Sequence, residues 1–129
     1  MMDLLCATKL KNIVFSPANP SIMITGDYNG NICVWNIAER SCVKLDGHDT
    51  SITSLCVSDD GQLLCSESRF VICCHDLSHD NVLLWSKEIR ANFKSNIMFH
   101  DGRFIIGMSY EIYVFDALTG DEVFSLHEH

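Results

Sequence analysis

The run "CCHDLSH", Cys73 to His79, gathers thiol, imidazole and carboxylate groups into one short segment. These are the side chains that hold borderline metals such as zinc, and thiols among them also respond to oxidants. In an extended strand Cys73 and His75 project from one face and Cys74 from the other, so two ligands converge and His79 adds a third from the loop. The spacing matches no closed Cys/His zinc pattern. The leading expectation is therefore structural, with Cys73 and Cys74 filling opposite faces of a strand and His75 standing where a large side chain is needed. A metal-binding or redox-sensitive β protein using Cys73–His79 is kept as the alternative. "HEH" (His127 to His129) reads as a repeat junction rather than a ligand pair.

Other chemistry finds fewer footholds. The chain has no GxSxG elbow, no GxxxxGK[ST] phosphate loop and no HExxH pair. Asp59 and Asp60 precede a glycine, where carboxylates favour turns, so they are not read as an acid/base pair. Reactivity of Cys6 or Cys42 depends on local pKa and exposure. No nucleophile–base–orienter constellation emerges, and the expectation is a non-enzyme with no cofactor.

The formal charge is −8, from 9 Lys and Arg against 17 Asp and Glu. The cations are scattered, so the stripe that neutralises phosphates is absent and nucleic acid is excluded as a partner. Acidity serves solubility first and attraction to basic surfaces second. The 7 cysteines form no CxxC pair. Cys33, Cys65 and Cys74 lie inside apolar strands and read as small buried hydrophobes in a reducing compartment. The opening "MMDLLCATKL" is a poor signal peptide, and no segment approaches the ~18 apolar residues of a membrane helix. The expected location is cytoplasmic, with the nucleus as the other reducing choice, and no membrane insertion is expected.

The elements that carry these residues repeat. "ICVWN" begins at Ile32, "ICCHD" at Ile72 and "IYVFD" at Ile112, a step of 40 residues both times. A second anchor, "IVFS" from Ile13, "LCVS" from Leu55 and "IMFH" from Ile97, steps by 42. Such a period points to solenoids, propellers or arrays. Each unit divides into four short apolar pieces: "NIVF", "IMIT", "ICVW", "CVKL"; then "LCV", "LLCS", "VICC", "VLLW"; then "IMF", "FIIG", "IYVF", "VFSL". Asn29-Gly30, Asp60-Gly61, Asp101-Gly102 and Thr119-Gly120 lie where pieces reverse, and Pro17 and Pro20 bracket the first turn. No window keeps helical spacing for ten residues. The chain is predicted to be all-β, built of four-stranded antiparallel sheets buried on both faces.

On "LDGHDTSITSL" (Leu45 to Leu55) with its Gly47-His48 pair, on "TGDYNGNICVWN", on "WN", "HD" and "FD" at 35–36, 75–76 and 115–116, and on "DALTGDEVFSL" (Asp116 to Leu126), the sequence resembles the WD-repeat family. The resemblance spans essentially the whole chain. It implies a partial WD-repeat β-propeller of about three four-stranded blades, roughly 9–46, 47–90 and 91–127, in a single repeat region. Closed propellers have four to eight blades, so the expectation is an arc completed by further blades of a longer chain or by self-association. The family's hydrogen-bonded set of His, Ser or Thr, Asp and Trp is only partly present. The first unit offers Thr25 and Trp35 with Asn29 for the Asp, the second His48 and Ser66 with His75 for the Trp. The third has Phe115, which cannot donate, and "SKEI" for Gly-His. Blades held mainly by packing are expected.

The resemblance also implies a protein-interaction scaffold whose partners are other proteins. Its usual contact loops are here "DYNGN" (27–31), "DGHDT" (46–50), "ESR" (67–69), "SKEIRANFK" (86–94) and "SYE" (109–111). Asp27, Tyr28, Asp49, Arg69 and Tyr110 are the candidate contacts within them, Tyr and Arg being favoured hot-spot residues.

Overall fold

The computed structural model describes residues 9–69, 71–88, 96–107 and 111–127. Every regular element among them is a strand: β1 (Leu10–Phe15), β2 (Ile22–Asp27), β3 (Ile32–Asn36), β4 (Ser41–Leu45), β5 (Ile52–Val57), β6 (Leu63–Ser68), β7 (Val71–Asp76), β8 (Val82–Glu88), β9 (Asn96–His100), β10 (Arg103–Gly107), β11 (Glu111–Asp116) and β12 (Glu122–His127). They form three four-stranded sheets in which chain order equals spatial order. Every neighbouring pair is antiparallel. We refer to β1–β4, β5–β8 and β9–β12 as the first, second and third blades.

Local side chains set the reversals. The residue closing the third strand of each blade caps the next turn: Asn36 Oδ1 accepts from the Glu39 N–H at 3.0 Å, Asp76 Oδ1 from Ser78 at 2.9 Å, and Asp116 Oδ1 from Leu118 at 3.0 Å. Such Asx turns reverse a chain without a special backbone. Gly61 is different. Its φ of +76° disfavours any L side chain, and a Cβ there would come within 2.7 Å of Ser16 Oγ on the first blade.

Alternation sends each strand's residues to two faces. Ile24, Ile32 and Leu45 of the first blade meet Ile52, Leu55, Val57 and Leu64 of the second. The opposite face of the second blade presents Leu63, Cys65, Ile72, Cys74 and Trp85 to Phe104, Phe115 and Ala117 of the third. Sandwiched this way, all six residues of β6 are buried. Each such apolar side chain contributes roughly 1.5–3 kcal/mol when removed from water. The repeat position of Ile32, Ile72 and Ile112 summarises the stacking: the first two are 0% exposed, the third 41%. Ile112 shares the outward face of the third blade with Leu126, its cross-strand partner, and with Phe124, which lies opposite Val114, and Met98 is exposed on β9.

The expected loops are shorter than read. Glu67 and Ser68 belong to β6 and are buried, leaving Arg69 at the tip, and Ser86–Glu88 belong to β8. The remainder of "SKEIRANFK" and Tyr110 lie outside the described residues.

Candidate partner-binding face

In an antiparallel meander alternate turns lie at opposite ends of the sheet. The β2–β3 turn (28–31), the β4–β5 connection (46–51) and Arg69 therefore share one end of the first two blades. The base beneath them is a set of buried polar ties. Trp35 Nε1 donates to Thr25 Oγ1 at 2.9 Å. His48 Nε2 lies 2.8 Å from Ser66 Oγ and its Nδ1 2.8 Å from Ser68 Oγ. A neutral imidazole has one donor and one acceptor nitrogen, and two hydroxyls can rotate to satisfy both. Burial lowers the His48 pKa to about 4, helped by the neighbouring His75 and opposed by Asp49, so this ring is neutral at pH 7. Thr53 Oγ1 donates to Glu67 Oε1 at 2.8 Å on the same blade.

Above this base the two loops touch. A Cβ on Gly30 would come within 2.6 Å of the Thr50 carbonyl, so the β2–β3 turn lies directly on the β4–β5 connection. Asn12 Nδ2 donates to the Ile52 carbonyl at 2.8 Å, and Lys11 Nζ reaches Ser51 Oγ at 3.3 Å. Tyr28 is 49% exposed, with Lys9 Nζ 5.3 Å and Lys11 Nζ 5.5 Å from its ring centroid. Two cations on an aromatic ring hold it in place while leaving surface for contact. Asp49 and Arg69 are exposed at the same end.

Asp27 is placed otherwise than expected. It is 1% exposed, and its carboxylate accepts from the Asn29 and Asn31 backbone N–H groups at 2.9 and 2.8 Å and from Asn31 Nδ2 at 2.9 Å. Asp27, not Asn29, is thus the turn aspartate of the first blade, and it supports the loop rather than facing a partner. Of the remaining structural expectations, His75 is 2% exposed with Nε2 2.8 Å from the Asp46 carbonyl oxygen. Phe115 packs 6.3 Å from both Trp85 and Tyr113, centroid to centroid.

The Cys73–His79 run is distributed over three environments. Cys73 and His75 face Gly47, whose carbonyl accepts a weak bond from Cys73 Sγ at 3.6 Å. Cys74 lies on the opposite face against the Ala117 carbonyl. His79 is out in the turn, 2.9 Å from Asp76 Oδ2. No three metal-ligating side chains are grouped among the described residues. Burial pushes the Cys73 thiol up to about 11 and Cys74 to about 12, and raises Cys65 well above its ordinary value. Thiols so placed are protonated and poorly nucleophilic.

Three supports escaped the sequence reading. Trp85 Nε1 donates to the Ala117 carbonyl at 2.9 Å, with its indole against Gly120, tying the second blade to the third. Lys9 and Lys11 flank Tyr28 because β1 pairs with β2 in a register that sets Leu10 opposite Asp27. Alternating lysines in "KLK" ahead of an apolar strand were the available signal.

The model of the family described as "WD domain, G-beta repeat" matches residues 7–36 and 39–86. The chain belongs to the WD40 repeat family. A 61-residue stretch is 31% identical to the Transcriptional corepressor LEUNIG_HOMOLOG of Arabidopsis thaliana, covering 47% of this chain and 8% of that protein. Among solved structures, the WD40 repeats of RRP9 and the structure of U3-55K each superpose with a TM-score of 0.80 at 15% identity. The Cps50 (Swd1) β-propeller domain of Myceliophteria thermophila does so at 0.79 and 20%. Each superposition covers 94% of this chain and 39 to 40% of the other. The chain therefore spans about two fifths of the length of these WD40 propellers, and at such identity the likeness concerns the fold. WD40 repeat proteins generally act as protein-interaction scaffolds.

Proposed function

We propose that this WD40 chain is a non-catalytic protein-interaction scaffold, with its contact surface at the loop end of the first two blades. The carrying observation is Tyr28, half-exposed between Lys9 and Lys11 on a turn that the buried Asp27 carboxylate holds rigid. A fixed aromatic ring flanked by cations loses little conformational freedom on binding and offers both apolar area and charge. Asp49 and Arg69 extend the surface along the second blade, and Tyr110 is assigned to it from its sequence position. The partner is another protein, not nucleic acid, and the protein works in the cytoplasm or nucleus. Further blades, from a longer chain or a second copy, are a second class of partner, since Ile112, Phe124 and Leu126 leave an apolar sheet face open.

Pull-down with mass spectrometry identifies partners, and the combined Tyr28→Ala, Arg69→Ala and Tyr110→Ala variant then tests the surface. Capture should weaken by about tenfold or more while the β-sheet circular dichroism stays intact. Unchanged capture would remove the assignment. Light scattering addresses the second class of partner: a strictly monomeric chain that binds no hydrophobic dye counts against it.

A further inference from the structure

At the end of the blades opposite Tyr28, the first two sheets part to leave a hollow of about 290 Å³. Its lining includes the apolar side chains of Ile22, Val34 and Leu77, all packed against the core between the two blades. Ser16, Ala18, Asn19, Asp60, Gly61, Ser78 and Asn81 complete it from three turns. The size falls just below the ~300–1,000 Å³ of small-molecule pockets and suits one large apolar side chain. Hydrogen bonds and close packing shape the walls. Ser16 Oγ accepts from the Ala18 and Asn19 N–H groups at 3.3 and 3.2 Å, and Gly61 lets the second blade approach Ser16 closely.

The electrostatics select the flanks. Among the described residues, Asp60 is the only ionisable one lining the hollow. Its Oδ1 accepts from Ser58 Oγ at 2.6 Å and from the Gln62 N–H at 3.0 Å, while Oδ2 has no hydrogen bond among the described residues. Those bonds lower its pKa, so it is an anion at pH 7. The turns at this end (16–21, 37–40, 58–62 and 77–81) carry Glu39, Asp59, Asp60 and Asp80 against Arg40, and His79 is paired with Asp76. The Tyr28 end sets Lys9, Lys11 and Arg69 against Asp27, Asp46 and Asp49. Within the first two blades, the end that holds the hollow is thus the more acidic one.

We propose that this hollow is a second docking site, independent of the Tyr28 surface, for an extended basic peptide segment. One apolar side chain enters between Ile22, Val34 and Leu77. A flanking Lys or Arg pairs with Asp60 Oδ2, and the Asn81 amide, which makes no hydrogen bond among the described residues, meets the peptide backbone.

The test uses the full chain and a fluorescein-labelled peptide, Gly-Lys-Arg-Leu-Arg-Lys-Gly, followed by fluorescence anisotropy. Replacing the peptide's leucine with glycine should weaken binding about tenfold or more, the value of one buried aliphatic group. Asp60→Asn keeps the Oδ1 contacts and should cost about fivefold at low salt, an effect that fades near 0.5 M salt. Ala18→Trp, an exposed turn position, should block the site. Amide cross-peaks of Ser16, Gly61, Leu77 and Ser78 should shift on titration while those of Tyr28, Asp49 and Arg69 stay still. No binding, equal binding of the glycine peptide, indifference to both protein variants, or shifts confined to the Tyr28 end would each overturn the proposal.

Discussion

The first two blades and the third solve the same packing problem by different means. In the first two, buried polar side chains tie strand to strand and strand to loop: Trp35 to Thr25, and His48 to Ser66 and Ser68. At the equivalent place the third blade has Phe115, and it relies on aromatic contact, with Phe99 and Phe104 edge to face at 5.3 Å and Phe115 against Trp85 and Tyr113. A satisfied polar tie fixes geometry because its alternatives leave buried groups unpaired, whereas apolar packing tolerates rearrangement. Position is thus enforced by polar ties under the Tyr28 loops, the contact surface proposed above, and left to apolar packing in the third blade.

Four changes test this contrast. The largest effect should come from Phe104→Ala, which empties a fully buried site shared by the second and third blades. About 3–5 kcal/mol should be lost, read as a lower urea midpoint. The two tryptophans separate the blades, since Trp85 reports the second–third junction and Trp35 the first blade. Trp85 fluorescence should change first in this variant.

Acidification comes next. Burial lowers His48 to about 4 and lowers His75 as well, so the folded protein binds fewer protons than the unfolded chain below the ordinary histidine value near 6.5. Stability is full above that pH and falls as pH drops from 6.5 toward 4, by roughly 2 kcal/mol once solvent screening is allowed for. Urea midpoints at pH 7, 5.5 and 4.5 measure it, and His48→Gln should flatten the dependence. A flat profile in the unmodified protein would remove the difference between the blades.

Thr25→Val, nearly isosteric, leaves the Trp35 N–H buried without its partner and should cost about 1–3 kcal/mol. Here the Trp35 signal should shift ahead of Trp85, the reverse of Phe104→Ala. Smallest of all, Tyr28→Ala should change stability by less than about 0.5 kcal/mol, because the ring is half-exposed. A larger loss would make Tyr28 a structural residue.

How much of this was legible follows from the range of each interaction. The strands and turns repeat at 40 and 42 residues because each blade needs the same short apolar runs and the same reversals, so the all-β stack could be read directly. His48 with Ser66 was legible through the Gly-His motif. Asp27 was assigned to the wrong task because an Asx turn depends on where the strand stops, one residue deciding between a capped, buried carboxylate and an exposed one. Trp85 was missed because its partner is a backbone carbonyl 32 residues away, which no side-chain pattern marks. The hollow at Asp60 arises from the gap between two sheets, and that gap depends on how the blades splay.

The exposure of Ile112 carries one more implication. Within the chain, sheets always meet through unlike faces, the leading side of one against the trailing side of the next, so the stack has a direction. A directed stack has no intrinsic last member. Growth that curves back on itself ends in a closed, soluble ring, and growth that does not becomes a filament. Whatever seats itself on Ile112, Phe124 and Leu126 chooses between those fates.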